Sequence, residues 1–310
     1  MTQFAFVFPG QGSQAIGMLD AFATNPAVRE TLAEASDALD MDIGALIAAG
    51  PKETLDLTTN TQPVMLTAAV ACYRAWIAAG GQAPAVVAGH SLGEYSALVA
   101  AGVVAFGDAV ALVRFRAEAM QAAVPVGEGG MAAILGLADE DVRAVCVEAA
   151  QGQVVEAVNY NAPLQVVIAG HKAAVERACL IAKARGAKRA LILAVSAPFH
   201  SSLLQPASAR LREYLAGVAF AAPQITLINN VDVAVATTPE AIKDALVRQA
   251  ASPVRWVETI QAMANQGVTQ LVECGPGKVL AGLTKRIDPR ISAEALLDPT
   301  SLAHIMELLK

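Results

Sequence analysis

The chain has 310 residues, of which 55% are hydrophobic and 16% charged, with a net charge of −6. That length supports one large core, or a core plus a smaller inserted unit, and the acidic balance argues against a general nucleic-acid binder. Mean hydropathy is +0.47, but Gly80, Gly81 and Pro84 interrupt the stretch from Ala75 to Gly93, so no apolar run is long enough to span a membrane.

In chain order, Met1-Thr2-Gln3-Phe4 lacks a basic region and Phe4 to Phe8 is too short for a leader, so a cytoplasmic protein is expected. Phe4 to Phe8 reads as a buried strand. It runs into Pro9-Gly10-Gln11-Gly12-Ser13-Gln14, which is either an ordinary turn or a loop that brings N–H groups to a ligand. Ala15 stands where G-x-G-x-x-G needs its third glycine, which excludes a dinucleotide loop. Asn25-Pro26 caps a helix whose face is Val28, Leu32, Ala35 and Leu39. Leu66, Val70, Tyr73 and Ile77 predict another helix. Ala85 to Ala88 is a short strand, followed by Gly89-His90-Ser91-Leu92-Gly93 and a helical run from Glu94 to Ala101 that Gly102 can close. Asp108 is expected to cap a helix from Ala109 to about Ala123. Alternating strands and helices indicate a parallel α/β sheet.

The pattern changes after the loop Pro125 to Gly130. Strands are expected at Met131 to Leu137, Val154 to Tyr160, Gln165 to Ala169 and Arg189 to Ser196, with a tight turn at Asn161-Ala162-Pro163. Helices are expected at Asp139 to Ala150 and Lys172 to Arg185. This β-α-β-β-α-β order is the ferredoxin-like unit. The expected organisation is a large unit of residues 1–126 and 198–310 with an insert of residues 127–197. Beyond Pro198 the pattern gives a helix from Ser201 to about Ala216, a strand from Ile225 to Asn230, and helices at Pro239 to Gln249 and Val254 to Asn265. A strand from Val268 to Glu273 follows, and Gly275-Pro276-Gly277-Lys278 is a sharp turn rather than a phosphate loop. Cys72, Cys146, Cys179 and Cys274 are far apart and read as buried free thiols, with no metal site.

The chemistry starts at Gly89-x-Ser91-x-Gly93. A strand before it and a helix after it are the context of a nucleophile elbow, with unpaired helix N–H groups beside the serine. A serine nucleophile needs a base. His90 is too close in sequence, His171 opens a helix of the insert, and His304 has no supporting motif. His200 sits where the chain re-enters the large unit; it is a candidate base, or an ordinary surface histidine. No acid completing a triad is visible. Arg116 falls inside the apolar arc of its helix with Val113 and Met120. An inward guanidinium needs an anion, either a substrate carboxylate or an internal acid.

Further motifs extend along the whole chain: Phe8 to Gln14, Thr61-Gln62-Pro63, Gly89 to Tyr95, Arg116 with Met120-Gln121, Asn159-Tyr160-Asn161, Gln165 to Gly170, Ser196 to Ser202, Gln249, Ser252 to Trp256 and Glu273 to Gly277. In this order they resemble the malonyl-CoA:acyl carrier protein transacylase family. The resemblance implies an α/β-hydrolase-like subdomain carrying a ferredoxin-like insert. It implies Ser91 as nucleophile, His200 as base oriented by the main-chain carbonyl of Gln249, and Gln11 and Leu92 N–H groups as oxyanion hole. Arg116 matches the residue that pairs with the malonyl carboxylate. Met120, Asn159, Asn161 and Phe199 fall at substrate-binding positions, Phe199 in the malonyl-selective form of its motif. Gln249 is expected to act through its backbone alone. Leu164 departs from the family, which often has glycine there.

What the resemblance implies is malonyl transfer from malonyl-CoA to the phosphopantetheine thiol of acyl carrier protein, in fatty-acid synthesis. It implies no cofactor and no membrane or nucleic-acid partner, and a monomer is expected. A malonyl transferase serving a malonate decarboxylase or polyketide carrier, a serine thioesterase, and a non-catalytic carrier-docking module are the alternatives.

Overall fold

The computed structural model describes residues 3–310. Met1 and Thr2, where the stretch read as lacking a leader begins, lie outside the described residues. Strand β1 (Phe4–Phe8) is buried along its whole length, as expected of a central strand covered on both faces. It pairs in parallel with β2 (Val86–Gly89). The second sheet comprises β3 (Gly129–Leu135), β4 (Val155–Ala162), β5 (Gln165–His171) and β6 (Arg189–Ile192). The first is completed by β7 (Thr226–Leu227), β8 (Gln270–Cys274) and β9 (Ser292–Leu296).

The first sheet has the order β7-β2-β1-β8-β9 and is parallel throughout. Phe8 pairs with Gly89, so the loops after β1 and β2 leave side by side at the carboxyl edge, where ligands of open α/β sheets bind. The second sheet is antiparallel with order β4-β5-β3-β6. The helices Asp139–Ala150 and Lys172–Ala184 close a core on it that includes Ile134, Val142, Ile168 and Val175. This is the ferredoxin-like order, and the fold is α/β, with a parallel sheet and a separate small antiparallel one.

Local chemistry explains where elements begin and end. Asn25 accepts from the N–H groups of Ala27 and Val28 and, with Pro26 in the first turn, starts the helix Pro26–Leu39. The helix Phe106–Ala123 starts before Asp108, contrary to the expected cap. Buried Phe106 anchors that start, leaving Asp108 in the first turn, where its charge suits the helix dipole. The helix Thr58–Ala78 is buried on nearly every side and begins well before Leu66, and Ile77, expected inward, is 42% exposed.

Other expected bounds also move. The β4–β5 turn is Pro163-Leu164 rather than Asn161 to Pro163, because pairing runs on to Ala162. Leu164 has φ 62° there, the left-handed value that suits glycine after a proline. β6 stops at Ile192 and β7 at Leu227, both short of expectation. The chain turns at Asn229, whose side chain accepts from the Asp232 N–H. The helix expected from Ser201 is a 3₁₀ turn, Ser202–Leu204, leading into Gln205–Ala216. The helix expected from Val254 is Trp256–Asn265, since Val254 bonds to Val158 instead. The helix Pro239–Gln249 matches its expected bounds. The helices Ile43–Ala49, Lys52–Leu55 and Pro299–Leu308, and strand β9, were not read from sequence. Among the described residues no helix is long and apolar enough to cross a membrane, and all four cysteines are buried and free.

Candidate active site

β2 ends at Gly89 and the helix Gly93–Ala100 begins four residues later. A Cβ at Gly89 would lie 1.9 Å from the Gly93 carbonyl carbon, and one at Gly93 would lie 2.0 Å from the Phe8 carbonyl oxygen. Backbone packs directly on backbone here, which only glycine permits. Gly93→Ala is therefore expected to destabilise the protein by about 3 kcal/mol, measured as a lowered denaturant midpoint at unchanged slope.

Between the glycines Ser91 takes φ 53°, a left-handed conformation worth roughly 1–3 kcal/mol of strain. Asn230, at the end of the segment after β7, holds it there. Its Oδ1 accepts from the Ser91 N–H at 2.7 Å, and its Nδ2 donates to the Gly89 carbonyl at 2.7 Å.

His200 is also left-handed, with φ 67°. Two residues on, Ser202 donates its N–H and its hydroxyl to the Glu156 carboxylate on β4, which ties this loop to the second sheet. His200 Nδ1 donates to the Gln249 carbonyl at 2.9 Å. That contact fixes the tautomer and leaves Nε2 to accept from the Ser91 hydroxyl at 2.6 Å. Burial, then the nearby Arg116 charge, pushes His200 down to about 3. The imidazole is neutral and free to take a proton.

Arg116 is 1% exposed. Its Nη1 donates to Gln62 Oε1 at 2.8 Å, and its Nη2 to Gln249 Oε1 at 3.0 Å and Ser91 Oγ at 3.3 Å. Its guanidinium lies 5.3 Å from the centre of the Tyr95 ring, a cation–π distance. Among the described residues Nε has no partner and no acid pairs with this cation directly. An arginine so placed can present its remaining N–H capacity to an anionic group beside the serine.

Among the described residues the N–H groups of Gln11 and Leu92 have no protein acceptor. Gln11 lies on the loop after β1, and its side chain accepts from the Thr58 hydroxyl. The cleft at this sheet edge has a volume of about 630 Å³, and Gln11, Ser91, Arg116, Asn159, Phe199 and His200 are among its lining residues. Asn161 also lines it, but its Oδ1 bonds to His90 Nε2 at 2.8 Å. The His90 ring packs edge-on against Trp256. Met120 does not reach the cleft wall. It is buried behind Gln62, with its sulfur 4.0 Å from Gln62 Nε2. Leu92 is buried too, so only its main chain can serve the site.

The family model for the acyl transferase domain matches residues 5–289. The chain belongs to the acyl transferase family. It is 58% identical to the malonyl CoA-acyl carrier protein transacylase of Escherichia coli (strain K12), over 99% of this chain and all of that one. It is 44% identical to the protein of that name from Bacillus subtilis (strain 168), over 100% of this chain and 98% of that one. Among solved structures, the acyl-carrier-protein S-malonyltransferase of Burkholderia pseudomallei 1710b superposes with a TM-score of 0.98 at 70% identity, covering 99% of this chain and 100% of that one. A malonyl-transacylase in complex with its type II PKS acyl carrier protein superposes with a TM-score of 0.98 at 54% identity, again covering 99% and 100%.

The acyl transferase site contains residues to which sequence reasoning gave no part. Glu94, next to the elbow, is 1% exposed and its Oε2 accepts from the Asn230 N–H at 3.0 Å. Asn230 ends the strand expected from Ile225 and in the structure lies in the turn after β7, at the ligand edge of the sheet, a position that could have marked it. Gln62 lay inside a motif but carried no role. The Gln249 side chain corrects the expectation that this residue acts through its carbonyl alone. Its Nε2 donates to the Ser91 carbonyl at 3.0 Å and to Glu94 Oε2 at 2.9 Å, while its Oε1 accepts from Arg116. Among the described residues no cluster of His, Cys, Asp or Glu could hold a metal ion.

Proposed function

We propose that the chain transfers the malonyl group of malonyl-CoA to the phosphopantetheine thiol of acyl carrier protein through a malonyl ester on Ser91, and so supplies fatty-acid synthesis. The observation that carries this reading is Arg116. It is a buried cation 3.3 Å from the Ser91 hydroxyl, with no acid paired to it among the described residues. A dicarboxylic acyl group would bring the missing carboxylate; an acetyl group would not. In this reading His200 Nε2 takes the Ser91 proton as Oγ attacks the thioester carbon. The oxyanion faces the Gln11 and Leu92 N–H groups, and the thiolate of CoA leaves with the proton from His200. A carboxylate on Arg116 offsets the charge that depresses His200, so the correct acyl group also strengthens the base. The phosphopantetheine thiol then repeats these steps in reverse.

Met120 supports Gln62 from behind rather than touching substrate, while Asn159, Asn161 and Phe199 contact the acyl or thioester end. The boundaries 1–126 with 198–310, and 127–197, describe a catalytic unit and its insert. The reaction needs no cofactor, and both substrates suit a cytoplasmic enzyme acting as a monomer. The test is incubation with malonyl-CoA alone, followed by peptide mass mapping and then addition of carrier protein. A malonyl adduct on the peptide containing Ser91, discharged by the holo carrier but not by water or the apo carrier, is the expected result. Rapid discharge to water would favour a thioesterase instead. Comparing fatty-acid and polyketide carriers separates the two pathways.

A further inference from the structure

Among the described residues Arg116 is a buried cation with only neutral hydrogen-bond partners, and such a charge needs support from an opposite one. The carboxylate linked to it is Glu94, reached through the side chain of Gln249. Among the described residues the two form no hydrogen bond or ion pair, because the Gln249 amide stands between them. Its Oε1 accepts from Arg116 Nη2 at 3.0 Å, and its Nε2 donates to Glu94 Oε2 at 2.9 Å. The same Glu94 oxygen accepts from the Asn230 N–H at 3.0 Å, and Asn230 Oδ1 holds the Ser91 N–H. One carboxylate oxygen is thus joined to the cation on one side and to the nucleophile on the other.

The intervening amide has a physical reason. A carboxylate directly on Arg116 would occupy the N–H groups that an incoming acyl carboxylate must take. With no counter-charge, the guanidinium would be buried unsupported. An ionised carboxylate only accepts hydrogen bonds, so it compels the amide to turn its NH₂ inward and its oxygen toward Arg116. We propose that Glu94 is a positioning residue that counter-charges Arg116 through the Gln249 amide, keeping the guanidinium aligned yet open to the carboxylate of the acyl group. This rests on the malonyl-transfer reading above. Burial pushes the Glu94 carboxyl up to about 7, while its bonds from Gln249 and Asn230 and the charge of Arg116 favour the ionised form.

The test uses the full chain with malonyl-CoA and acetyl-CoA as probes, following formation of the acyl-Ser91 ester. Glu94→Gln keeps the shape but removes the charge and lets the Gln249 amide turn over. Its kcat for malonyl-CoA is expected to fall about tenfold or more while KM holds or drops, since Arg116 now needs the substrate carboxylate more. Gln249→Glu puts a carboxylate directly against Arg116. Its KM for malonyl-CoA is expected to rise about tenfold or more, and by a larger factor than its KM for acetyl-CoA. A merely structural residue would raise KM for both probes alike. A raised malonyl-CoA KM in Glu94→Gln, or an unchanged one in Gln249→Glu, would overturn the proposal. If Glu94→Gln does not fold, Gln249→Glu decides alone. Failure of the wild-type protein to form malonyl-Ser91 would instead sink the transfer reading and the proposal together.

Discussion

Ser91→Ala is expected to reduce malonyl transfer by roughly 10⁵–10⁶-fold, because the reaction proceeds through an ester that alanine cannot form. The variant should still fold. Alanine retains the Cβ, and the hydrogen bonds that fix the elbow come from the Ser91 main chain and Asn230, not from the hydroxyl. Its affinity for malonyl-CoA should survive, since Gln62 and Gln249 still hold Arg116. His200→Ala should lose nearly as much, and the double variant little more than either alone, because the hydroxyl and the imidazole act as one unit. The measurement is release of CoA from malonyl-CoA under single-turnover conditions, with binding followed separately. Substantial turnover in Ser91→Ala would mean the thiol of the carrier attacks malonyl-CoA directly, and the two-step mechanism would fail.

Arg116→Ala is expected to lower kcat/KM for malonyl-CoA by about 3–5 kcal/mol, or roughly a hundred- to several-thousand-fold, since one partner of a desolvated pair is lost. Acetyl transfer should hold or rise, because an acetyl group never uses the cation. Arg116→Lys should recover only part of the malonyl rate. A lysine cannot span Gln62 and Gln249 with a planar fork while leaving a further N–H for the substrate. The comparison requires both substrates with variants shown to be folded, because Arg116 also packs over Tyr95 inside the core. Parallel losses for malonyl and acetyl would make Arg116 a structural residue and remove the selectivity argument.

Much of this architecture was legible in sequence because it depends on short-range chemistry. Five apolar residues in a row give β1, Asn25-Pro26 starts its helix, and the β-α-β-β-α-β alternation gives the second sheet its class. The strand–turn–helix around Ser91 follows from two glycines four residues apart, and the inward direction of Arg116 follows from helical periodicity. The element ends were less legible. Whether β7 stops at Leu227 or the β4 hairpin turns at Pro163 depends on which partner strand is available, and no local pattern encodes that.

The site itself divides along the same line. Sequence determined which residue types were present and the local geometry of each: a serine on a tight turn, an arginine facing inward, a histidine at a junction between units. Only the tertiary structure decided how they meet. Ser91 and His200 are 109 residues apart, and Arg116 and Gln249 are 133 apart. A hydrogen bond acts over about 3 Å and carries no trace along a chain of that length. The role of the Gln249 side chain, the place of Glu94 behind it and the grip of Asn230 on the elbow were therefore invisible until packing brought the carboxyl edge of the parallel sheet together.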